Sequence, residues 1–303
     1  MDANQFSKVF LAVVVAAVML PPAGAARAEE VHFPDPNLEA VVREELGIPE
    51  PTPITTDDML NMHGFDASAG GISDLTGMQY ATNLYWLDAG SNQITDLSPL
   101  AGLTGLKELG FDGNQVSDLS PLAGLTGLEI LYFPENQVSD ISALSGLTSL
   151  GGLWAFDNTI SDVSPLAGLT SLVWLIAMDN VISDISPLAG LTNMEDLWLY
   201  GNLIEDLSAL SGLTLLDEVR LENNRISDIS PLAELRELWI LNLCGNPLND
   251  EAYSTYLPLI EANNPLARVF YDPIPEPAAL MLLTAGGVVA LLRGKARSAI
   301  RLR

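Results

Sequence analysis

The stretch Leu84–Gly105, LYWLDAGSNQITDLSPLAGLTG, decides the fold, because the chain goes on repeating it. Asn92, Asn114, Asn136, Asn158, Asn180, Asn202, Asn224 and Asn246 follow one another at intervals of 22 residues without a slip. An aliphatic residue stands five places before each asparagine, from Leu87 to Leu241, and another two places after it, from Ile94 to Leu248. Self-similarity at a fixed period of this length is the signature of a solenoid, in which one coil cannot bury its apolar stripe alone but a stack of coils can. A further unit, Met62–Asn83, fits with Gly70 in the asparagine place, so the array spans 62–248 in nine coils.

Each unit can be read from its periodicities. Around Leu87 the alternation of a short strand turns leucine inward and Asp88 outward, and successive strands pair in parallel as a concave sheet. The asparagine stands where the chain leaves the strand, and its amide can bond turn groups that have no ladder partner. The asparagines are therefore structural. Ser98-Pro99, Ser120-Pro121, Ser164-Pro165, Ser186-Pro187 and Ser230-Pro231 read as a capping hydroxyl before the proline of a short helical turn on the opposite side. The aspartates from Asp74 and Asp96 to Asp228 and Asp250 also recur once per coil. A calcium ion wants about six to eight converging oxygens, which one carboxylate per coil does not supply. Each aspartate instead reads as an Asx turn that accepts the amide two residues on, so no metal or other cofactor is expected.

The LxxLxLxxN units resemble the leucine-rich repeat family, in the 22-residue form found in bacterial internalins. The resemblance runs from Met62 to about Asp272. It implies an α/β solenoid, a horseshoe with a parallel concave sheet, short helical turns on the convex side, and a cap at each end. Residues 29–61 fit the helical N-terminal cap. Asp35 precedes Pro36 at a helix start, Leu38, Val41, Val42 and Leu46 form one apolar face, and Gly47 ends it. Thr56, Asp57 and Asp58 open a second short helix. Residues 249–272, with YLPLIEANN, fit the other cap.

Both chain termini read as addresses. Val9–Leu20 is an unbroken apolar run after Lys8, and Ala26-Arg27-Ala28 offers small residues for cleavage between Ala28 and Glu29, so residues 1–28 read as a secretory signal peptide. At the far end a linker, 273–277, carries Pro275-Glu276-Pro277. It is followed by an apolar span, 278–292, and a basic tail, 293–303, expected to stay cytoplasmic. This order resembles the PEP-CTERM sorting signal of bacterial exported proteins. The resemblance implies an exosortase-type processing protease as partner, membrane anchoring that is at least transient, and a place in the cell envelope, on the surface or in the extracellular matrix. As a helix the span would reach roughly 22 Å, short of a hydrocarbon core near 30 Å, which suits a transient anchor.

Charge and composition exclude several functions. The 303 residues carry 39 acidic and 13 basic side chains, a net charge of −26, and between Glu29 and Pro277 only six basic residues face 38 acids. Such a body repels phosphate backbones, so no nucleic acid is expected as partner. With Cys244 alone there is no disulfide, and His32 and His63 have no evident nucleophile beside them. Pairs such as Glu195-Asp196 and Asp217-Glu218 read as solvating charges on an exposed face. No catalytic set is found, and the chain is not expected to be an enzyme.

The aromatic residues break the consensus. All five tryptophans, Trp86, Trp154, Trp174, Trp198 and Trp239, fall on outward strand positions or at a strand edge. Tyr132, Trp154, Ile176 and Trp198 share one row across successive coils, and Phe156, Met178 and Tyr200 share the next. Trp86, Tyr132, Trp154, Phe156, Trp174, Trp198 and Tyr200 are the candidate partner-binding residues, expected as an exposed patch on the concave sheet. The function read from this is an exported recognition or adhesion protein whose aromatic face takes a protein or polysaccharide. The alternative is a structural envelope or exopolysaccharide-matrix protein without a specific ligand.

Overall fold

The computed structural model describes residues 28–274. The expected signal peptide, apart from Ala28, lies outside the described residues, as do Pro275-Glu276-Pro277, the apolar span and the basic tail. Ten three-residue strands form one parallel sheet in sequence order. They are β1 (Gly64–Asp66), β2 (Trp86–Asp88), β3 (Glu108–Gly110), β4 (Ile130–Tyr132), β5 (Gly152–Trp154), β6 (Trp174–Ile176), β7 (Asp196–Trp198), β8 (Glu218–Arg220), β9 (Ile240–Asn242) and β10 (Arg268–Phe270). The register advances by 22 residues at each step up to β9, so equivalent side chains stack in rows. The array of nine coils thus gains a tenth strand from the C-terminal cap, paired in parallel with β9.

Strands β1 to β9 each bury their middle residue, and Val269 of β10 is half-buried. Leu87, Leu109, Leu131, Leu153, Leu175, Leu197, Val219 and Leu241 are all buried, as are the turn leucines from Leu100 and Leu103 onward, in one continuous core. Short 3-10 turns carry those leucines on the side opposite the sheet, as at Ser98–Leu100 and Ser230–Leu232. The serines do not cap these turns. The Ser98 amide donates to Asp96 Oδ1 at 2.8 Å and the Ser98 hydroxyl donates to Asp96 Oδ2 at 2.7 Å. Serine lies inside the turn, and the aspartate two residues earlier satisfies its free amide. The Asx bond recurs at Asp118, Asp140, Asp162, Asp184, Asp206 and Asp228.

The asparagine ladder reaches further than closing its own coil. Asn114 Nδ2 donates to Phe111 O and Asp112 O in its own turn and to Ala89 O of the coil before, while Asn114 Oδ1 accepts the Ile94 amide of that preceding coil. Every rung thus ties two coils together with the same side chain.

The caps cover the two open ends of the core. Helix α1 (Pro36–Leu46) buries Leu38 and Val42, and Gly47 ends it in the left-handed conformation. Helix α2 (Thr56–Met59) starts at Thr56 as expected, with Thr55 as its cap and Asp58 closing a reciprocal capping box. Glu29 is tied to this cap, its carbonyl accepting the Thr56 amide at 2.8 Å. At the other end α3 (Leu257–Asn263) buries Leu257 and Ile260. Asn264 then repeats the ladder device, donating to Leu235 O and accepting the Leu238 amide.

Asp35 joins the N-terminal cap to the first coil. Its Oδ1 accepts the amides of Asn37 and Leu38 at the start of α1, and its Oδ2 accepts the Ser73 amide at 2.7 Å, the Ser73 hydroxyl at 3.0 Å and the Asp74 amide at 3.2 Å. Burial alone would raise its pKa, but the bonds from Ser73, Asn37 and Asp74 outweigh it and hold the carboxyl below its ordinary value. A carboxyl depressed in the folded state stabilises above its unfolded value near 3.9, and that stability is lost as pH falls through the folded value. Asp35→Asn is expected to cost about 1–2 kcal/mol at pH 7. Thermal melts should show the gap to the parent narrowing below pH 4, and a gap unchanged at pH 2.5 would remove the ionised carboxylate from this account.

Candidate concave binding face

The first and third residue of every strand point away from the core onto the concave sheet, and a further row follows two residues later. Tyr132, Trp154, Ile176 and Trp198 are register partners in the third-position row of β4 to β7. Trp174 stands in the first-position row, and Phe156, Met178 and Tyr200 stand in the row beyond. The rings contact across coils. Trp154 lies 6.3 Å from Tyr132 and 6.3 Å from Trp174, centroid to centroid, and Phe156 meets Tyr132 edge-on at 6.3 Å. Together these four rings make one apolar block over three coils, and Ile176 carries the row on to Trp198 in a fourth.

The block is less exposed than strand alternation alone suggests. Only Trp174, at 38%, is exposed, while Tyr132, Trp154, Phe156, Trp198 and Tyr200 are half-buried and Ile176, between Trp154 and Trp198, is buried. The reason is lateral packing. Gly152, beside Trp174 in the first-position row, leaves room into which the Trp154 ring folds back: a Cβ on Gly152 would collide with that ring and stand 3.4 Å from Trp174. Trp86 does not belong to the block. It packs over Gly64 at the other end of the sheet, with Glu108 and Gly110 between it and Tyr132. Trp239, 49% exposed, stands just ahead of β9, apart from the block.

Carboxylates flank the block on both sides. On the N-terminal side Asp88 and Asp112 share the space left by Gly90, where a Cβ would collide with Asp112 and stand 3.1 Å from Asp88. Asp88 is pushed up by burial and by Asp66, and Asp112 by burial, Asp88 and Glu135. Glu108 is likewise raised by burial and by Glu129. The Tyr132 hydroxyl, next in line, is pushed up to about 12, by burial first and then by Asp112, Glu135 and Asp88. On the C-terminal side Asp196 is pushed up to about 6 by burial and by Glu218, Asp217 and Glu195, with Arg220 opposing. Arg220 pairs with Glu218 at 2.5 Å and lies 4.4 Å above the Trp198 ring.

Asp196 therefore corrects the reading of Glu195-Asp196 as solvating charges: the strand turns Asp196 onto the half-buried sheet and leaves Glu195 exposed. Sequence alone carried the signal, since Asp196 stands in the same row as Trp174, but only packing shows its burial. Two buried polar atoms at this end have no partner among the described residues, Trp198 Nε1 and Glu222 Oε2, although Glu222 Oε1 accepts from Asn242 Nδ2. Cys244 is half-buried and its thiol is raised by burial, Asp272 and Glu222, away from the reactive thiolate. His32 and His63 are exposed. Among the described residues no group of His, Cys, Asp and Glu is arranged to hold a metal, and no helix is long and apolar enough to cross a membrane.

Comparison with known proteins bears on the scaffold. The family described as Leucine Rich repeats (2 copies) matches residues 82–124 and 170–212. No curated protein matches the chain. Among solved structures, internalin C2 of Listeria monocytogenes is 38% identical, with 70% of this chain and 94% of that one covered and a TM-score of 0.67. The functional domain of InlJ from the same organism, which includes a cysteine ladder, is 22% identical over 81% of this chain and 62% of its own, with a TM-score of 0.62. The ectodomain of the Arabidopsis thaliana receptor kinase GASSHO1/SCHENGEN3, in complex with CASPARIAN STRIP INTEGRITY FACTOR 2, is 22% identical over 58% of this chain and 23% of its own, with a TM-score of 0.53. The last two share the fold. The identity to internalin C2 along nearly all of that protein, on the same solenoid, shows that this chain belongs to the internalin-type leucine-rich repeat family.

Proposed function

We propose that this chain is an exported recognition protein of the cell envelope, surface or matrix, and that it binds a macromolecular partner through its concave aromatic block. The observation that supports this most is the clustering of rings. Phe156, Tyr132, Trp154 and Trp174 form an unbroken chain of ring contacts on the concave face. Large rigid rings with low conformational entropy are the side chains that anchor interfaces. Export rests on the signal-like N-terminal run, and transient anchoring with exosortase-type processing rests on the Pro275-Glu276-Pro277 arrangement. No step of catalysis is assigned to the protein.

The test is Trp154→Ala combined with Trp198→Ala. Neither side chain belongs to the continuous core, so the variant should keep the circular dichroism of the parent. Adhesion to cells or extracted matrix should fall roughly tenfold or more. A folded variant that adheres like the parent would show the rings to be cover for the sheet and would favour a structural matrix protein without a specific ligand. A variant that unfolds would show the rings to be part of the scaffold.

A further inference from the structure

The aromatic block is apolar, but the face around it is not neutral. Asp88, Glu108 and Asp112 lie on one side and Asp196, Glu218 and Glu222 on the other, all half-buried. Of these six, only Glu218 forms an ion pair among the described residues, with Arg220. Half-buried carboxylates of like sign are costly in the free protein, and the raised proton affinities of Asp88, Asp112 and Asp196 report that cost. For Asp196 the sign is plain: its folded value lies above its unfolded one, so folding loses stability as pH rises from about 4 to about 6. The fold gains nothing from this residue at neutral pH.

We infer that the partner is a protein segment with basic side chains on either side of an apolar centre, laid across the strands so that its centre covers the rings and its cations meet the two acidic flanks. This rests on the reading of the concave face as a binding surface and adds the chemistry of what binds. Charge complementarity carries it: a cation brought to either flank relieves repulsion already present, whereas an anionic chain would add to it. Glu222 Oε2 is buried without a donor among the described residues, so this flank already holds an unmet acceptor. Arg220 over Trp198 shows that this face already accommodates a guanidinium on a ring. The geometry also sets a spacing. From β3 to β7 is four strand steps, roughly 19 Å at ~4.8 Å per step, which an extended segment covers in about six residues. Neutral oligosaccharides would use the rings but bring no compensating charge to either flank.

The experiment is selection of a displayed library of random twelve-residue peptides on the full chain, run in parallel on Trp154→Ala/Trp198→Ala and on Asp112→Asn/Asp196→Asn, with a glycan array as a second probe. Both acidic substitutions remove repulsion and should melt no lower than the parent at pH 7. Peptides enriched on the parent should carry basic residues about six apart around aromatic or aliphatic ones. Their affinity should drop about tenfold on Asp112→Asn/Asp196→Asn and should fall with salt more steeply on the parent than on that variant. Enriched peptides without positive charge, or with affinity unchanged on Asp112→Asn/Asp196→Asn, would overturn this inference and leave the aromatic face standing. Neutral glycans bound by the parent and lost on the tryptophan variant, with no peptide enriched, would do the same. Peptides or glycans recovered equally from parent and tryptophan variant would overturn the binding-face reading itself.

Discussion

Phe133→Ala is expected to lower stability by about 3–5 kcal/mol. Phe133 and Phe111 are fully buried, and their rings stack with centroids 5.5 Å apart at 9° between planes. They occupy equivalent places in adjacent coils, directly after β3 and β4, in a row otherwise filled by Ala67, Ala89, Ala155, Ala177, Leu199, Leu221 and Leu243. The coils around that pair are built to the volume of two rings, so removing one leaves a cavity and strands the face of the other. Phe133→Leu, nearer in volume, should cost less than about 1.5 kcal/mol. Because each coil touches only its neighbours, the loss should be local. Hydrogen exchange should quicken in β3 to β5 before it changes in the caps. A Phe133→Ala protein that melts like its parent would mean that the coils collapse onto the vacancy without strain.

Asn158→Ala should come next, at about 1–3 kcal/mol. Asn158 is buried, and its Nδ2 donates to Ala155 O at 3.3 Å, Phe156 O at 3.1 Å and Phe133 O of the coil before at 3.1 Å. Its Oδ1 accepts the Val138 amide at 2.9 Å. Alanine leaves the Val138 amide without a partner, while Phe133 O, Ala155 O and Phe156 O each lose one donor but keep Asn136 Nδ2, Asn180 Nδ2 and the Glu135 amide. The amide matters more than the size: Asn158→Asp keeps an acceptor for Val138 but points a carboxylate at three carbonyls. Asn158→Asp should therefore be less stable than Asn158→Ala at pH 7 and should recover as pH falls and the carboxyl takes up a proton to donate. Combined with Asn180→Ala, which removes the next rung and its bond to Ala155 O, the loss should depart from the sum of the single losses, because both rungs bind the same turn. Denaturant titration of the two single variants and the double variant measures this. Strict additivity would mean that the rungs act one by one.

These two residues mark the limit of what could be read in advance. The asparagine spacing of 22 is enough to require a solenoid, because a strict period leaves each strand residue stacked on its equivalent and each leucine buried only by its neighbours. The strand alternation, the convex turns, and the helix from Pro36 that Asp35 starts and Gly47 stops all follow from local chemistry, and the structure has them. So does the placing of Trp154, Trp174 and Trp198 on the concave side, since a period of two admits no other face once Leu153, Leu175 and Leu197 point inward.

What needed the tertiary structure is whatever depends on distances between coils. The Phe111–Phe133 stack is invisible in a consensus that accepts any apolar residue there. The serines of the Ser-Pro turns look like caps until the aspartate two residues earlier is seen to bond them. The rings look exposed until Gly152 lets Trp154 lean toward Trp174, and Asp196 looks solvated until burial, and then the neighbouring carboxylates, raise it. Sequence periodicity determined which face each residue takes, because that follows from backbone geometry repeated every 22 residues. Burial, proton affinity and the reach of each side chain between coils were decided by packing, because they depend on what the next coil places opposite.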